Sequence, residues 1–162
     1  MRAATILLVL LAAGCGSLDE RACSSSADCA AGLYCARTPD GGVCWPDAVR
    51  PTVSSVTVTC GTPCRRDATL QVEARIADDV EVASAEVALD LGGAPVRMAP
   101  EGGGVWSALV PLREFPFDSF TQPVVATVTA RDGARNPSFE VESVVTVTRL
   151  AWERSYGAAL GH

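Results

Sequence analysis

Asp78, Asp79, Asp132 and Asn136 are the side chains in this sequence best suited to hold an ion. Three carboxylates and an amide form an all-oxygen donor set. Such a set suits Ca2+, a hard cation that takes roughly six to eight oxygen ligands. The competing reading is turn chemistry, because Asp and Asn favour turns by bonding nearby backbone. Cysteines are the second reactive group. Setting Cys15 aside leaves Cys23, Cys29, Cys35, Cys44, Cys60 and Cys64, an even set that can pair fully. A zinc site is the rival use, but the spacings are long and uneven and the lone His is His162. A third group is aromatic. Phe115, Phe117 and Phe120 crowd one Pro-containing loop. Exposed, they would form a binding patch for a protein or glycan ligand; folded inward, they would plug the end of a core.

Catalysis finds little support. His162 is the last residue and a poor general base unless well held. The six remaining cysteines are better used as cross-links. The Glu and Asp pairs fall on turns or on outward strand positions. Gly102-Gly103-Gly104 precedes no helix, so it is no phosphate loop. The expectation is a non-enzymatic protein with no cofactor beyond the candidate Ca2+.

Those residues need elements to position them, and the elements read as β. Leu70, Val72, Ala74 and Ile76 alternate with Gln71, Glu73 and Arg75. Ala83, Ala85, Val87 and Leu89 repeat the pattern, as do Val124, Ala126, Val128 and Ala130. Val56, Val58 and Cys60 share one face of an earlier strand; Phe139, Val141, Val145 and Val147 share one face of a later strand. Two further strands are expected around Val96–Met98 and Val105–Val110. Period-2 alternation marks antiparallel strands half buried in a core. About seven short strands over 51–149 predict an all-β, Ig-like antiparallel β-sandwich. Successive loops of such a sandwich alternate between its ends. Asp78 and Asp79 therefore share one end with Asp132 and Asn136, where the preceding chain also docks. The Cys60–Cys64 loop and the Phe loop share the other.

Residues 23–50 show no apolar period and cannot build a core without cross-links. The four cysteines there allow three pairings, and the spacing does not choose among them. The run Asp28-Cys29 … Gly32-Leu33-Tyr34-Cys35 … Gly42-Val43-Cys44 resembles EGF-like or Dickkopf-type cysteine-rich modules. Asp78-Asp79-Val80-Glu81-Val82 and Arg131-Asp132-Gly133-Ala134-Arg135-Asn136-Pro137 resemble turns of bacterial Ig-like domains of the fibronectin-III kind. The antibody marks are missing: no inter-sheet cysteine pair and no Trp on the third strand. Such a fold implies no function by itself.

The first residues give an address. Arg2 precedes an apolar run from Ile6 to Ala13, followed by the small residue Gly14 and then Cys15. That order is the order of a secretory signal. The run falls far short of the ~20 apolar residues that span a bilayer. Leu11-Ala12-Ala13-Gly14-Cys15 resembles the lipobox of bacterial lipoproteins, which implies cleavage after Gly14 and lipidation of Cys15. Ala12 stands where the lipobox usually has Leu. An ordinary cleaved signal containing a Cys is the alternative. The implied divisions are a signal peptide over 1–14, a lipidated tether over 15–22, the cysteine-rich module over 23–50, the sandwich over 51–149, and a tail or the start of a further domain over 150–162. Trp152-x-Arg154-x-x-Gly157-Ala158 resembles the opening strand of a PQQ-type β-propeller blade.

Charge narrows the partners. All 13 basic residues are Arg, against 19 acids. Loss of Arg2 with a leader leaves a net charge of about −7. An acidic chain without a basic cluster is a poor nucleic-acid binder. The sequence thus points to an exported protein, anchored through Cys15 at the outer membrane or cell surface. Its role would be a non-catalytic binding, adhesion or spacer module. The alternative is the stalk of a longer lipoprotein that presents a propeller or enzyme domain.

Overall fold

The computed structural model of the chain describes residues 22–148. Cys15, the tether to Arg21, and the tail with Trp152 and His162 lie outside the described residues. The described chain forms a small disulfide-rich part followed by an antiparallel β-sandwich.

In the small part, β1 (Ala22–Cys23), β2 (Leu33–Thr38) and β3 (Gly41–Pro46) make a three-stranded sheet in the order β1-β3-β2. Sequence periodicity gave no hint of this sheet. Its reason is covalent. Cys23 bonds Cys35 and Cys29 bonds Cys44, while Cys35 and Cys44 face each other across β2 and β3. Cys29, Cys44 and Asp47 are the buried residues of 22–50, so two half-cystines stand where an aliphatic core would be. Gly42 is required where β3 runs beneath the Cys23–Cys35 bridge. A Cβ there would meet the Cys23 carbonyl oxygen and would lie 2.6 Å from Cys35 Sγ.

Asp28 ties the turn before Cys29. Its Oδ2 accepts hydrogen bonds from the Ser24 backbone N–H at 2.8 Å, the Ser24 hydroxyl at 2.8 Å and the Ser25 N–H at 2.9 Å. The Ser24 backbone bond is the chief cause that lowers this carboxyl from 3.8 to about 2. A depressed acid stabilises the fold above its unfolded value and loses that contribution as pH falls through its folded value. The Ser24 and Ser25 amide resonances should therefore titrate with a midpoint near 2 in the native protein. A midpoint at the ordinary 3.8 would show that these bonds do not persist in solution.

The sandwich has two four-stranded sheets. One runs β4 (Thr52–Thr59), β5 (Thr69–Ala77), β9 (Val105–Pro111), β8 (Ala99–Gly102); the other runs β11 (Val141–Thr148), β10 (Thr121–Asp132), β6 (Val82–Leu89), β7 (Val96–Arg97). This is the connectivity of Ig-like sandwiches, widened by one short strand. The alternation read in the sequence orients it. Leu70, Val72, Ala74 and Ile76 from β5 meet Ala85, Val87 and Leu89 from β6 and Val124, Ala126, Val128 and Ala130 from β10 in one buried cluster. A register shift between Val53 and Ser55 lets β4 turn both Val53 and Val56 toward the core.

The expected count of about seven strands holds to within one, and the place of Phe139 is corrected. The sandwich has eight strands among the described residues, because the chain changes sheet at Met98. Val96 and Arg97 pair with β6, Ala99 pairs with β9, and buried Met98 donates its N–H to the Ala85 carbonyl at 2.9 Å. Phe139 does not belong to the inward face of β11. It precedes that strand and is 75% exposed, with the Arg50 guanidinium 5.3 Å from its ring centre. Cation–π contact with a long, exposed Arg takes the place of core burial.

Candidate functional site

The acidic end of the sandwich is built by β10 and by the loops after β5 and β10. Val124, Ala126, Val128, Ala130 and Asp132 form one inward series, so β10 carries the carboxylate of Asp132 into a position 1% exposed. Buried carboxylates need hydrogen-bond partners. Asn136 supplies them: its backbone N–H donates to Asp132 Oδ1 at 2.7 Å, and its Nδ2 donates to Asp132 Oδ2 at 2.8 Å. The same amide reaches the Asp47 carbonyl at 2.9 Å and the Val49 carbonyl at 3.3 Å. One side chain thus closes the β10–β11 turn and fastens the disulfide-rich part to the sandwich. Gly32 N–H to the Ala134 carbonyl, at 2.9 Å, adds a second tie. Gly133 allows the close approach, since a Cβ there would sit 2.8 Å from Ser26 Oγ.

This geometry divides the four residues expected to gather. Asp132 and Asn136 satisfy each other, which is the turn chemistry weighed against a metal. Asp78 and Asp79 instead converge with Asp47, a residue the sequence reading missed. One carboxylate oxygen from each of the three lies within 4.8 Å of the others. Asp47 is 8% exposed; its Oδ1 accepts the Val49 N–H at 2.9 Å, but its buried Oδ2 has no hydrogen-bond partner. Asp78 Oδ2 accepts the Val80 N–H at 3.3 Å and the Glu81 N–H at 3.0 Å, while its buried Oδ1 also has no partner. Burial pushes the Asp47 carboxyl above its ordinary value, and the nearby charges of Asp132, Asp79 and Asp78 push the same way. The sequence signal for Asp47 was slight: an Asp after Trp45-Pro46, at the last turn before the sandwich.

The opposite end is closed rather than open. Cys60 bonds Cys64 across the β4–β5 loop, so all six cysteines expected to cross-link do so. Phe117 is 8% exposed with Arg66 5.9 Å from its ring centre, and Phe115 packs against the core beside Gly93. Phe120 is 41% exposed. The three Phe therefore do not form one exposed patch. Phe117 and Phe115 plug the sandwich end, because burying two rings gains more than presenting them to water.

No protein-family model matches the chain, and no curated protein matches it. Among solved structures it is similar to the spore cortex lytic enzyme SleM of Clostridium perfringens, at 15% identity and a TM-score of 0.43. That likeness covers 67% of this chain and 35% of SleM. At this score it carries no argument about activity.

Proposed function

We propose that this protein is an exported, lipid-anchored envelope protein in which a non-catalytic β-sandwich serves as a spacer. The observation that carries the spacer reading is the path of the chain. β4 starts at Thr52, opposite Ala77 and beside the acidic end. β11 ends at Thr148, where its N–H donates to the Cys64 carbonyl at 2.8 Å, at the other end. The chain therefore enters and leaves the sandwich at opposite ends. Eight residues of β11 advance it by about 26 Å at ~3.3 Å per residue. The disulfide-rich part is bonded to the entering end and adds to the reach. What supports the anchor is the lipobox resemblance ending in Cys15. No helix among the described residues is long and apolar enough to cross a membrane. Acyl chains would hold the mature N-terminus, at ~0.8 kcal/mol per buried methylene.

The test uses the full chain in a bacterial host. The parent protein should take up a fatty-acid label and sediment with membranes. Cys15→Ser should lose the label and leave the membrane fraction; a variant that still sediments fully would sink the anchor. A donor fluorophore beside Thr148 should transfer less energy to bilayer acceptors than one beside Ala22. Equal transfer would rule out a spacer held upright.

A further inference from the structure

We infer that Asp47, Asp78 and Asp79 form a Ca2+ site that locks the disulfide-rich part onto the sandwich. Three features carry this assignment. The first is convergence: Asp47 closes the small part, whereas Asp78 and Asp79 lie in the β5–β6 loop. Their oxygens nevertheless come within 4.8 Å of one another. Two oxygens that bind one ion at ~2.4 Å can be at most ~4.8 Å apart, so the spacing fits a shared Ca2+. The second is the orphaned Oδ2 of Asp47, on a side chain more than nine-tenths buried, together with the orphaned buried Oδ1 of Asp78. Buried polar atoms without a protein partner are rare in native proteins, and a bound ion or water is what ordinarily satisfies them. While both carboxylates are ionised their oxygens only accept, so they cannot satisfy each other. A cation held between them satisfies both. The third is chemistry. The donors are all carboxylate oxygens, with no imidazole and no free thiolate among the described residues, whose six cysteines are in disulfides. That set selects a hard ion over zinc or copper.

Asp132 stands behind the site without belonging to it. Both of its oxygens are held by Asn136, and its charge adds to the negative field at Asp47. Asp79 is exposed and Asp78 half-buried, so water reaches the open side and completes the coordination. Three protein carboxylates on an open face resemble the weaker class of Ca2+ site, with Kd of about 10⁻⁴–10⁻³ M, the range of extracellular modules. The cation site stands whether or not the chain is anchored. Only the further statement, that calcium stiffens a spacer, rests on the function proposed above.

The experiment is a titration of the full-length protein with CaCl2 and, separately, MgCl2. Heat of binding and thermal unfolding are both followed. Calcium should bind once per chain and raise Tm progressively up to about 10 mM, as expected for a ligand of the native state alone. Asp79→Asn, at an exposed position that folding tolerates, should weaken binding about tenfold. Asp47→Asn should abolish the calcium response, yet unfold without calcium at the same temperature as the parent or higher, because it removes an unpaired buried charge. A merely structural Asp47 would give the reverse, a lower Tm with the calcium response intact. Absence of any calcium response in the parent overturns the site, as does a full response in both variants. An equal response to magnesium overturns the calcium assignment. Fatty-acid labelling at Cys15 is independent of all these outcomes, so failure of the anchor and failure of the site are told apart.

Discussion

Asn136→Ala is expected to lower the unfolding free energy by about 3 kcal/mol and Tm by about 10 °C. The side chain is small, but four things depend on its amide. It is one of two donors to the Asp132 carboxylate, which is 1% exposed. It caps the Asp47 and Val49 carbonyls. It holds the β10–β11 turn in which Arg135 takes φ 73°, an uncommon left-handed backbone. It also joins the two parts of the chain. Truncation leaves Asp132 Oδ2 buried without a donor, and that penalty exceeds the value of the bond itself. Chemical denaturation of the disulfide-intact protein measures the loss. Adding Asp132→Asn to Asn136→Ala should recover part of it, because the amide places a weaker demand on its surroundings than the carboxylate. A cycle in which the two changes simply add would mean that Asn136 acts elsewhere than on Asp132.

The second large effect belongs to the Cys29–Cys44 bridge. Replacing both residues by Ser should unfold residues 22–50 while the sandwich stays folded. The bridge closes a loop with a sequence separation of 15, worth about 3 kcal/mol on the chain-entropy estimate. Nothing apolar remains to compensate, since the buried residues of this part are the two cysteines themselves and Asp47. The sandwich core, by contrast, contains none of the atoms removed. Limited proteolysis read by mass spectrometry should show new cuts between Cys23 and Pro46 and continued protection of β4 to β11. Protection of the small part in the double variant would mean that docking on Gly133 and Ala134 suffices without the bridge.

Local alternation made the sandwich legible. β5 and β10 are core strands whose residues face inward at every second position, and the sequence shows that directly. β8 escaped because Ala99–Gly102 is wholly exposed, so no burial pattern marks it. Phe139 misled because it has the parity of Val141 and Val145 but lies outside the strand that confers burial on them. The acidic end was legible as far as topology reaches. Loop alternation brought Asp78 and Asp79 to the same end as Asp132 and Asn136. Asp47 was not legible, because its approach depends on how the small part docks. That docking is set by Asn136, Gly32 and Gly133 rather than by any repeat.

Thr148 has one more consequence. Arg65 and Thr148 form a parallel bridge; the Thr148 N–H donates to the Cys64 carbonyl, and the Arg66 N–H donates to the Thr148 carbonyl. The last strand is thus laid alongside the end of the first loop, in the same direction. A pull on the chain before Thr52 and after Thr148 would draw these segments past each other lengthwise. Their hydrogen bonds would be strained together, in shear, instead of opening one by one as in a zipper. The Cys60–Cys64 ring prevents its loop from paying out under that force. Resistance to rapid stretching is governed by the unfolding rate rather than by equilibrium stability. In that geometry the bridge beside Thr148 would meet such a load in shear.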